Sequence, residues 1–458
     1  MRKLTLLIVL GLMLGLPLAA QSTYILTASP SNMQGVIDRH GLTVVKELFD
    51  GTNCVMLVNS ASADVPNTET EVESDLLVLS FEPEQRAALP ELNGLTQPTL
   101  TQSTTSILDT LPGRTLVSFF GSTVPSNYST QAATSIIRLG DARIATKLTG
   151  SGTVAIIDTG ADLNHAALSG VLVPGYDFTR EIAGASELAD LSPSVAAQLQ
   201  QSTTSILDAQ NTLVLNSAVA ILNQSTTSIL DQSTTSILDS TLAEFGHGTM
   251  TAGIVHLVAP TARIMPLKAF RADGSSNLSD IIRAIYYAAD NGANVISMSF
   301  SMAQSSPGLQ AAVQYALSKN VIMIASAGND GSKTLVYPAS YNGVQGIGSS
   351  TNNDLRSAFS NFGSGVVTFA APGEAVITTY PGGNYAAGWG TSFSTPMVAG
   401  AAALVLQARP ASKPGDITNA LSKTKQISDM GYGRIDLYSS LMNVVSSPTS
   451  GVSGSSGR

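Results

Sequence analysis

Three windows of the chain hold residue types that together could activate an alcohol. Asp158 lies in VAIIDTGADLNHAAL, His247 stands between two glycines in GHGTMTAGIVHLVAP, and Ser392 follows Gly-Thr in GTSFSTPMVAGAAALV. A serine hydroxyl is a poor nucleophile at neutral pH and needs an adjacent base. A neutral imidazole titrates near working pH and suits that task, so His247 is the candidate base. A carboxylate such as Asp158 would hold the imidazole in one tautomer and stabilise the imidazolium that forms. Each residue also has an ordinary use: His247 as a packed core histidine, Asp158 as a cap on the turn at Thr159-Gly160. The glycines beside His247 weigh against plain packing, because they let backbone and substrate approach closely.

The elements around these windows would place them together. GTVAIIDTG predicts a buried strand that ends at Asp158, and GHGTMTAGIVHLV predicts an apolar helix that begins at His247. In NLSDIIRAIYYAADNG, Ile281, Ile282, Ile285, Tyr286 and Ala289 recur at helical spacing and Gly292 stops the run. ANVISMSF then reads as a strand, GLQAAVQYALSKN as a helix and VIMIASAG as a strand. Strands and helices in alternation, with apolar strands, imply an α/β fold: a parallel sheet covered by helices on both faces. Ligand and catalytic groups gather at the carboxyl ends of such strands and at helix starts, where all three windows fall.

The three segments resemble the Asp, His and Ser motifs of the subtilisin-like serine proteases (subtilases), and they occur in that family's order. The resemblance covers about residues 130–440. It implies a serine endopeptidase acting through an acyl-enzyme. Aligning Pro396 with the family's motif proline makes Ser392 the nucleophile and leaves Ser394 in the first helical turn as a capping residue. Asn329, in ASAGND, resembles the family's oxyanion asparagine; its amide and the backbone N–H of Ser392 would form the hole, although an Asx-turn ahead of Asp330-Gly331 is the plain alternative. The family binds peptides as an added strand, and the matching segments place Ser299, Phe300 and Ser301 on one side and Ala327 and Gly328 on the other. Ser301 stands where the family commonly has glycine, and Trp389 where a small or amide residue is usual. His165 matches a structural family histidine, and His256 falls on the apolar face of the His247 helix. Calcium stabilises relatives, but no compact carboxylate loop demands it here. It stays open as a structural ion, and no other cofactor or metal is implied.

Composition sets outer limits. The chain has 458 residues, enough for two or three domains, with 43% hydrophobic residues and only 12% charged ones. A net charge of −9 argues against nucleic acid as a partner and against docking to an anionic membrane. The single cysteine, Cys54, excludes an internal disulfide, an iron–sulfur cluster and a cysteine-based zinc site.

At the amino terminus, Arg2 and Lys3 precede an apolar run from Leu4 to Leu16, then Pro17 and Ala19-Ala20. This is the layout of a signal peptide over residues 1–20, too short to span a bilayer, and it predicts export with cleavage near Ala20. Residues 22–95 read as a small α/β unit. TYILTA, LTVVKELF, CVMLVN and DLLVLSF are strands, SNMQGVIDRHG is a helix, and EPEQRAALPEL begins a short second one. Its place between signal and catalytic motifs makes residues 21–120, with a loosely ordered connector over 96–145, resemble the family's inhibitory propeptide. The catalytic domain is expected over 121–445, followed by a Ser/Gly-rich tail at 446–458.

Between Asp158 and His247 an insert at about 181–240 carries three of the four copies of QSTTSILD; the fourth covers 102–109. Inserted low-complexity sequence looped out on the surface accounts for the copies; an adhesive segment is the rival. The expected partners are therefore protein or peptide substrates and the chain's own propeptide, with a monomer as the oligomeric state. Two rivals differ in class: a catalytically inactive adhesion protein on the same scaffold, and a relative that uses Glu in place of His, which would work at acidic pH.

Overall fold

The structure, a computed structural model, describes residues 22–62, 64–89, 115–193, 219–222 and 244–446. The signal segment, all four QSTTSILD copies and the carboxyl-terminal tail lie outside the described residues. The chain divides into two compact units, Met1–Glu84 and Gln85–Arg458.

The first unit is a four-stranded antiparallel sheet in the order Thr43–Asp50, Cys54–Ser60, Ser22–Ala28, Val78–Pro83. Two helices, Pro30–Arg39 and Val65–Glu73, complete it. Its core gathers Tyr24, Leu26, Met33, Val36, Val58 and Phe81, with Cys54 buried among them. The second helix escapes the sequence reading because it is mostly polar; Asp64 caps it by accepting from Asn67 N–H, and Pro66 starts it. Over its described residues, 82–89, EPEQRAALPEL is not a helix. Val78–Pro83 continues the sheet and Arg86–Ala88 is extended, because its backbone groups pair with another strand, Ser275–Asn277.

In the second unit, the described part of the segment read as a loose connector has regular structure. A hairpin, Leu116–Phe119 with Ser122–Pro125, leads into short helices at Ser126–Ser129, Ala132–Ile136 and Leu139–Thr146. A ten-stranded sheet follows, in the order Ile182–Ala183, Tyr176–Asp177, Arg263–Lys268, Thr153–Asp158, Val295–Met298, Ile322–Ser326, Val344–Ser350, Phe369–Pro372, Arg434–Ile435, Thr424–Lys425. The eight inner strands are parallel, and only the two edge pairings are antiparallel. Strand Thr153–Asp158 is buried along its whole length, which is why TVAIID shows no alternation.

From that strand the chain moves one way to Arg263–Lys268, then crosses back to Val295–Met298 on the other side. Right-handed crossovers therefore place helix His247–Val258 on one face and helix Leu278–Asp290 on the other. The reversal makes the carboxyl end of Thr153–Asp158 a topological switch point, the usual place for a site.

Helix Thr391–Ala408 packs beside helix His247–Val258 over the centre of the sheet. Their small and apolar residues, with Ile156, Ile324 and Phe369 from the strands, form the main core. Trp389 packs against a smaller cluster of Phe119, Tyr128, Leu257 and Tyr385. The insert is not wholly a surface loop. Glu187–Asp190 forms a buried-side 3₁₀ turn, and Val219–Leu222 pairs antiparallel with Asn384–Gly388.

That turn is anchored by charge. Lys268 is fully buried; its ammonium donates to Asp190 at 2.6 Å and to the carbonyls of Phe270 at 2.7 Å and Thr159 at 2.9 Å. Arg180 also meets Asp190 and bonds Asp177 at 2.8 Å. Lys268→Met would leave Asp190 with only its more exposed partner, so thermal unfolding of the full chain should show a loss toward the lower end of about 3–5 kcal/mol. An unchanged melting temperature would show that the ammonium carries no weight.

Candidate active site

Asp158 closes its strand with its carboxylate already committed. Oδ1 accepts from the N–H of Thr159 at 2.7 Å and from Nδ1 of His247 at 2.7 Å, and Oδ2 accepts from Thr251 Oγ1 at 3.3 Å. The acceptor at Nδ1 fixes the proton there and leaves Nε2 as the basic nitrogen of the neutral ring. Both residues are buried, and Nε2 of His247 has no hydrogen-bond partner among the described residues. A buried polar atom without a partner calls for an explanation, and a reacting group is one of them.

Burial by itself pushes the His247 pKa down. The charge and hydrogen bond of Asp158, reinforced by Glu244 and Glu187, outweigh it and raise the value to about 9.

The glycines flanking His247 serve the protein's own packing. A Cβ on Gly248 would lie 2.0 Å from the carbonyl oxygen of Gly160, so this glycine lets the helix start touch the Asp158 turn. Gly246 has φ 95°, and a Cβ there would strike the Tyr380 ring at 2.3 Å.

Ser392 occupies the second position of helix Thr391–Ala408 and is fully buried. Its first-turn N–H belongs to the set with no partner inside the helix. Pro396 sits inside the helix and supplies no N–H to the carbonyl four residues earlier. That carbonyl is Ser392's, and Ser299 Oγ donates to it at 2.9 Å instead. Ser392 Oγ in turn donates to the Ser299 carbonyl at 3.3 Å. The Phe393 ring, next in sequence, stands 5.8 Å from the His247 ring between centroids. Ser394 is not a cap; its hydroxyl donates to Ala371 O at 2.9 Å and ties the helix to the sheet.

Asn329 is held by its carbonyl end. Oδ1 accepts from both the N–H and the Oγ1 of Thr391, at 2.9 and 2.8 Å, and Nδ2 faces Gly390. The Asx-turn alternative is not what the structure shows. Asn361 performs that service, accepting from the N–H of Asp330 at 3.0 Å and of Ser332 at 3.1 Å. Asn361 carried no signal in the sequence, because it lies in a serine-rich loop whose partners are far away in the chain.

Among the expected peptide-binding residues, Phe300 offers only main chain. Its ring is buried against Phe270 at 5.1 Å, and its carbonyl accepts from Ser326 Oγ at 3.1 Å. Ser299 is buried, Ser301 is half-buried, Ala327 is buried, and Gly328 takes φ 93° with its carbonyl accepting from Asn361 N–H at 3.0 Å.

The edge Ser275–Asn277 was not foreseen. Arg86–Ala88 pairs with it antiparallel, Leu89 N–H donates to Gly274 O at 3.0 Å, and Leu278 N–H donates to Gln85 O at 2.9 Å. Glu244, which acts electrostatically on His247, also reaches this edge: a Cβ on Gly274 would lie 2.7 Å from its side chain.

His165 and His256 stand apart from this site. His165 Nε2 donates to Asn384 O at 3.0 Å while Nδ1 accepts from Ala167 N–H at 3.2 Å. His256 is buried edge-on to Phe119, at 5.4 Å between centroids, and burial lowers its pKa to about 4.

Comparison with known proteins agrees with this architecture. The profile of the subtilase family, peptidase S8, matches residues 150–441. The chain is 33% identical over 301 residues to the thermophilic serine proteinase of Bacillus sp. (strain AK1), covering 65% of this chain and 63% of that protein. It is 34% identical over 306 residues to thermitase of Thermoactinomyces vulgaris, covering 63% of this chain and 88% of thermitase. In fold it is similar to fervidolysin from Fervidobacterium pennivorans, described as a keratinolytic enzyme related to subtilisin. That match has a TM-score of 0.64 at 20% identity and covers 93% of this chain and 61% of the other. The alignment thus spans less than two thirds of the length of the first of these relatives. With the profile covering well over half of its length, the chain belongs to the subtilase family.

Proposed function

We propose that the chain is an exported serine endopeptidase in which Ser392 attacks a peptide carbonyl, His247 carries the proton and Asp158 orients His247. The observation that carries this reading is the buried Asp158–His247 contact at 2.7 Å, with Nε2 left unpartnered. Rotation about the Cα–Cβ bond of Ser392 would exchange the weak 3.3 Å contact with Ser299 for one with Nε2. Asn329 Nδ2 and the N–H of Ser392, at the positive end of its helix, are the donors for the oxyanion. After acyl transfer, His247 returns the proton to the leaving amine and then activates water.

Substrate enters as an extended peptide. Arg86–Ala88 illustrates the mode: it holds the Ser275–Asn277 edge by backbone pairing, which demands little of side chains. Because that segment directly follows the first compact unit, the reading extends to residues 21–120 as an inhibitory propeptide removed by self-cleavage. Export rests on the signal-like residues 1–20. Among the described residues no helix is long and apolar enough to cross a membrane.

A fluorophosphonate should label Ser392 in the wild-type protein, whereas Ser392→Ala should take no label, stay unprocessed and lose activity on the order of 10⁶-fold. A Ser392→Ala chain that matures to the same size, with no other protease present, would exclude self-cleavage.

Since only neutral imidazole acts as the base, activity should rise with pH through the His247 value, giving kcat/KM an acid limb near 9. In Asp158→Asn burial is opposed only by the smaller pull of Glu244 and Glu187. The His247 titration, followed by NMR, should then move to lower pH, and kcat should fall on the order of 10⁴-fold. An unmoved titration would contradict the electrostatic assignment. Asn329→Ala should lower kcat by about 10²–10³-fold with KM little changed; a loss confined to KM would place Asn329 in binding instead.

A further inference from the structure

Glu187 stands in the long segment between Asp158 and His247 and is fully buried. Its carboxylate has four donors. Oε1 accepts from Gly246 N–H at 2.8 Å and from Thr159 Oγ1, while Oε2 accepts from Thr249 N–H at 3.2 Å and Thr249 Oγ1 at 2.6 Å. Those donors belong to the two elements that carry the pair: Thr159 follows Asp158, while Gly246 and Thr249 bracket His247. Thr159 Oγ1 also accepts from Gly248 N–H at 2.9 Å, which closes the link. The helix cap residue, Gly246, has no side chain to satisfy the first N–H groups; from elsewhere in the chain Glu187 accepts those of Gly246 and Thr249, and Thr159 that of Gly248. The backbone pins the carboxylate in place: Ala161 N–H donates to Ala185 O at 2.8 Å, and Glu187 N–H to Ala161 O at 3.1 Å.

Resting on the serine-protease reading, we infer that Glu187 is a positioning residue: it caps the His247 helix in trans and clamps the helix start to the end of the Asp158 strand, thereby setting the Asp158–His247 contact and adding negative charge beside the imidazole. The other groups that act on this place are Asp158, Glu244 and Lys268, with the Tyr380 phenol; Asp190 and Arg180 connect to it through Lys268. Glu187 and Asp190 lie at the amino-terminal foot of the insert. That foot is therefore part of the catalytic apparatus, while the repeat copies begin beyond it.

The test compares wild type, Glu187→Gln and Thr249→Val, each expressed from the full chain and assayed as the processed protein. The readouts are kcat and KM on a peptide substrate against pH, and the NMR titration of His247. Glu187→Gln keeps size but loses the charge and one of the two acceptor oxygens. Its acid limb and its His247 midpoint should move to lower pH, and kcat should fall on the order of 10²-fold with KM nearly constant, as expected for a misplaced base. Thr249→Val deletes one donor to the carboxylate, together with the acceptor of Asp162 N–H at 2.7 Å, without burying a lone charge, and should lower kcat in the same direction by a smaller factor; it keeps the inference testable if the first variant does not fold. An unshifted His247 midpoint in Glu187→Gln, or unchanged kcat in Thr249→Val, overturns the inference. If wild type itself neither cleaves peptide nor takes a fluorophosphonate, the enzymatic reading fails instead. The His247 midpoint in Glu187→Gln then still decides whether Glu187 governs the imidazole.

Discussion

The site depends on one electrostatic balance. A buried imidazole resists charge, and a fully buried carboxylate at 2.7 Å invites it. Attraction wins here, because Asp158 is near and two further carboxylates, Glu187 and Glu244, act in the same direction. A buried carboxylate is tolerable only when its lone pairs are satisfied. Asp158 therefore collects N–H and hydroxyl donors from Thr159 and Thr251 as well as from His247. Glu187 collects four of its own, and burial still raises its pKa. The threonines in DTG and in GHGTMT thus solvate buried anions with hydroxyls and backbone instead of water.

The parallel sheet makes such crowding possible. Reversal of crossover direction at Thr153–Asp158 opens a place at its carboxyl end, and two helix starts from one face of the sheet fill it. Both helices are built from small residues and lie close together, so His247 and the residue beside Ser392 meet across them. At Ser392 the same economy appears in hydrogen bonds: a proline removes the donor to its carbonyl, and Ser299, from the neighbouring strand end, restores it. That exchange couples the backbone of Ser392 to the strand expected to bind peptide.

What could be read from the sequence was what is encoded locally. Asp158, His247, Ser392 and Asn329 each sit in a window where a strand end, glycines and a helix start announce a turn with exposed chemistry. Helical spacing in 278–290 and unbroken apolar strands likewise needed no partner to be visible. Glu187 and Asn361 were invisible, because an acid in a polar loop and an asparagine among serines look solvated until distant chain closes over them. Arg86–Ala88 was misread for the mirror reason: its alanines favour a helix, and only the waiting edge at Ser275–Asn277 makes it extended. The short helices over 126–146 were lost in the apparent connector because each is only about a turn or two long and gains its order by packing on the core.

The insert shows how a family fold absorbs added sequence near its chemistry. An arbitrary loop between Asp158 and His247 would pull at both, since they must stay in hydrogen-bonding contact although 89 residues apart. Here the loop is stapled at its foot before it departs. Arg180 and Lys268 grip Asp190, the 3₁₀ turn presents Glu187 inward, and Ala185 and Glu187 bond back to Ala161. The foot is thus fixed to the same turn and helix that hold Asp158 and His247. The bonds that hold this junction lie ahead of the insert's repeat copies in the chain.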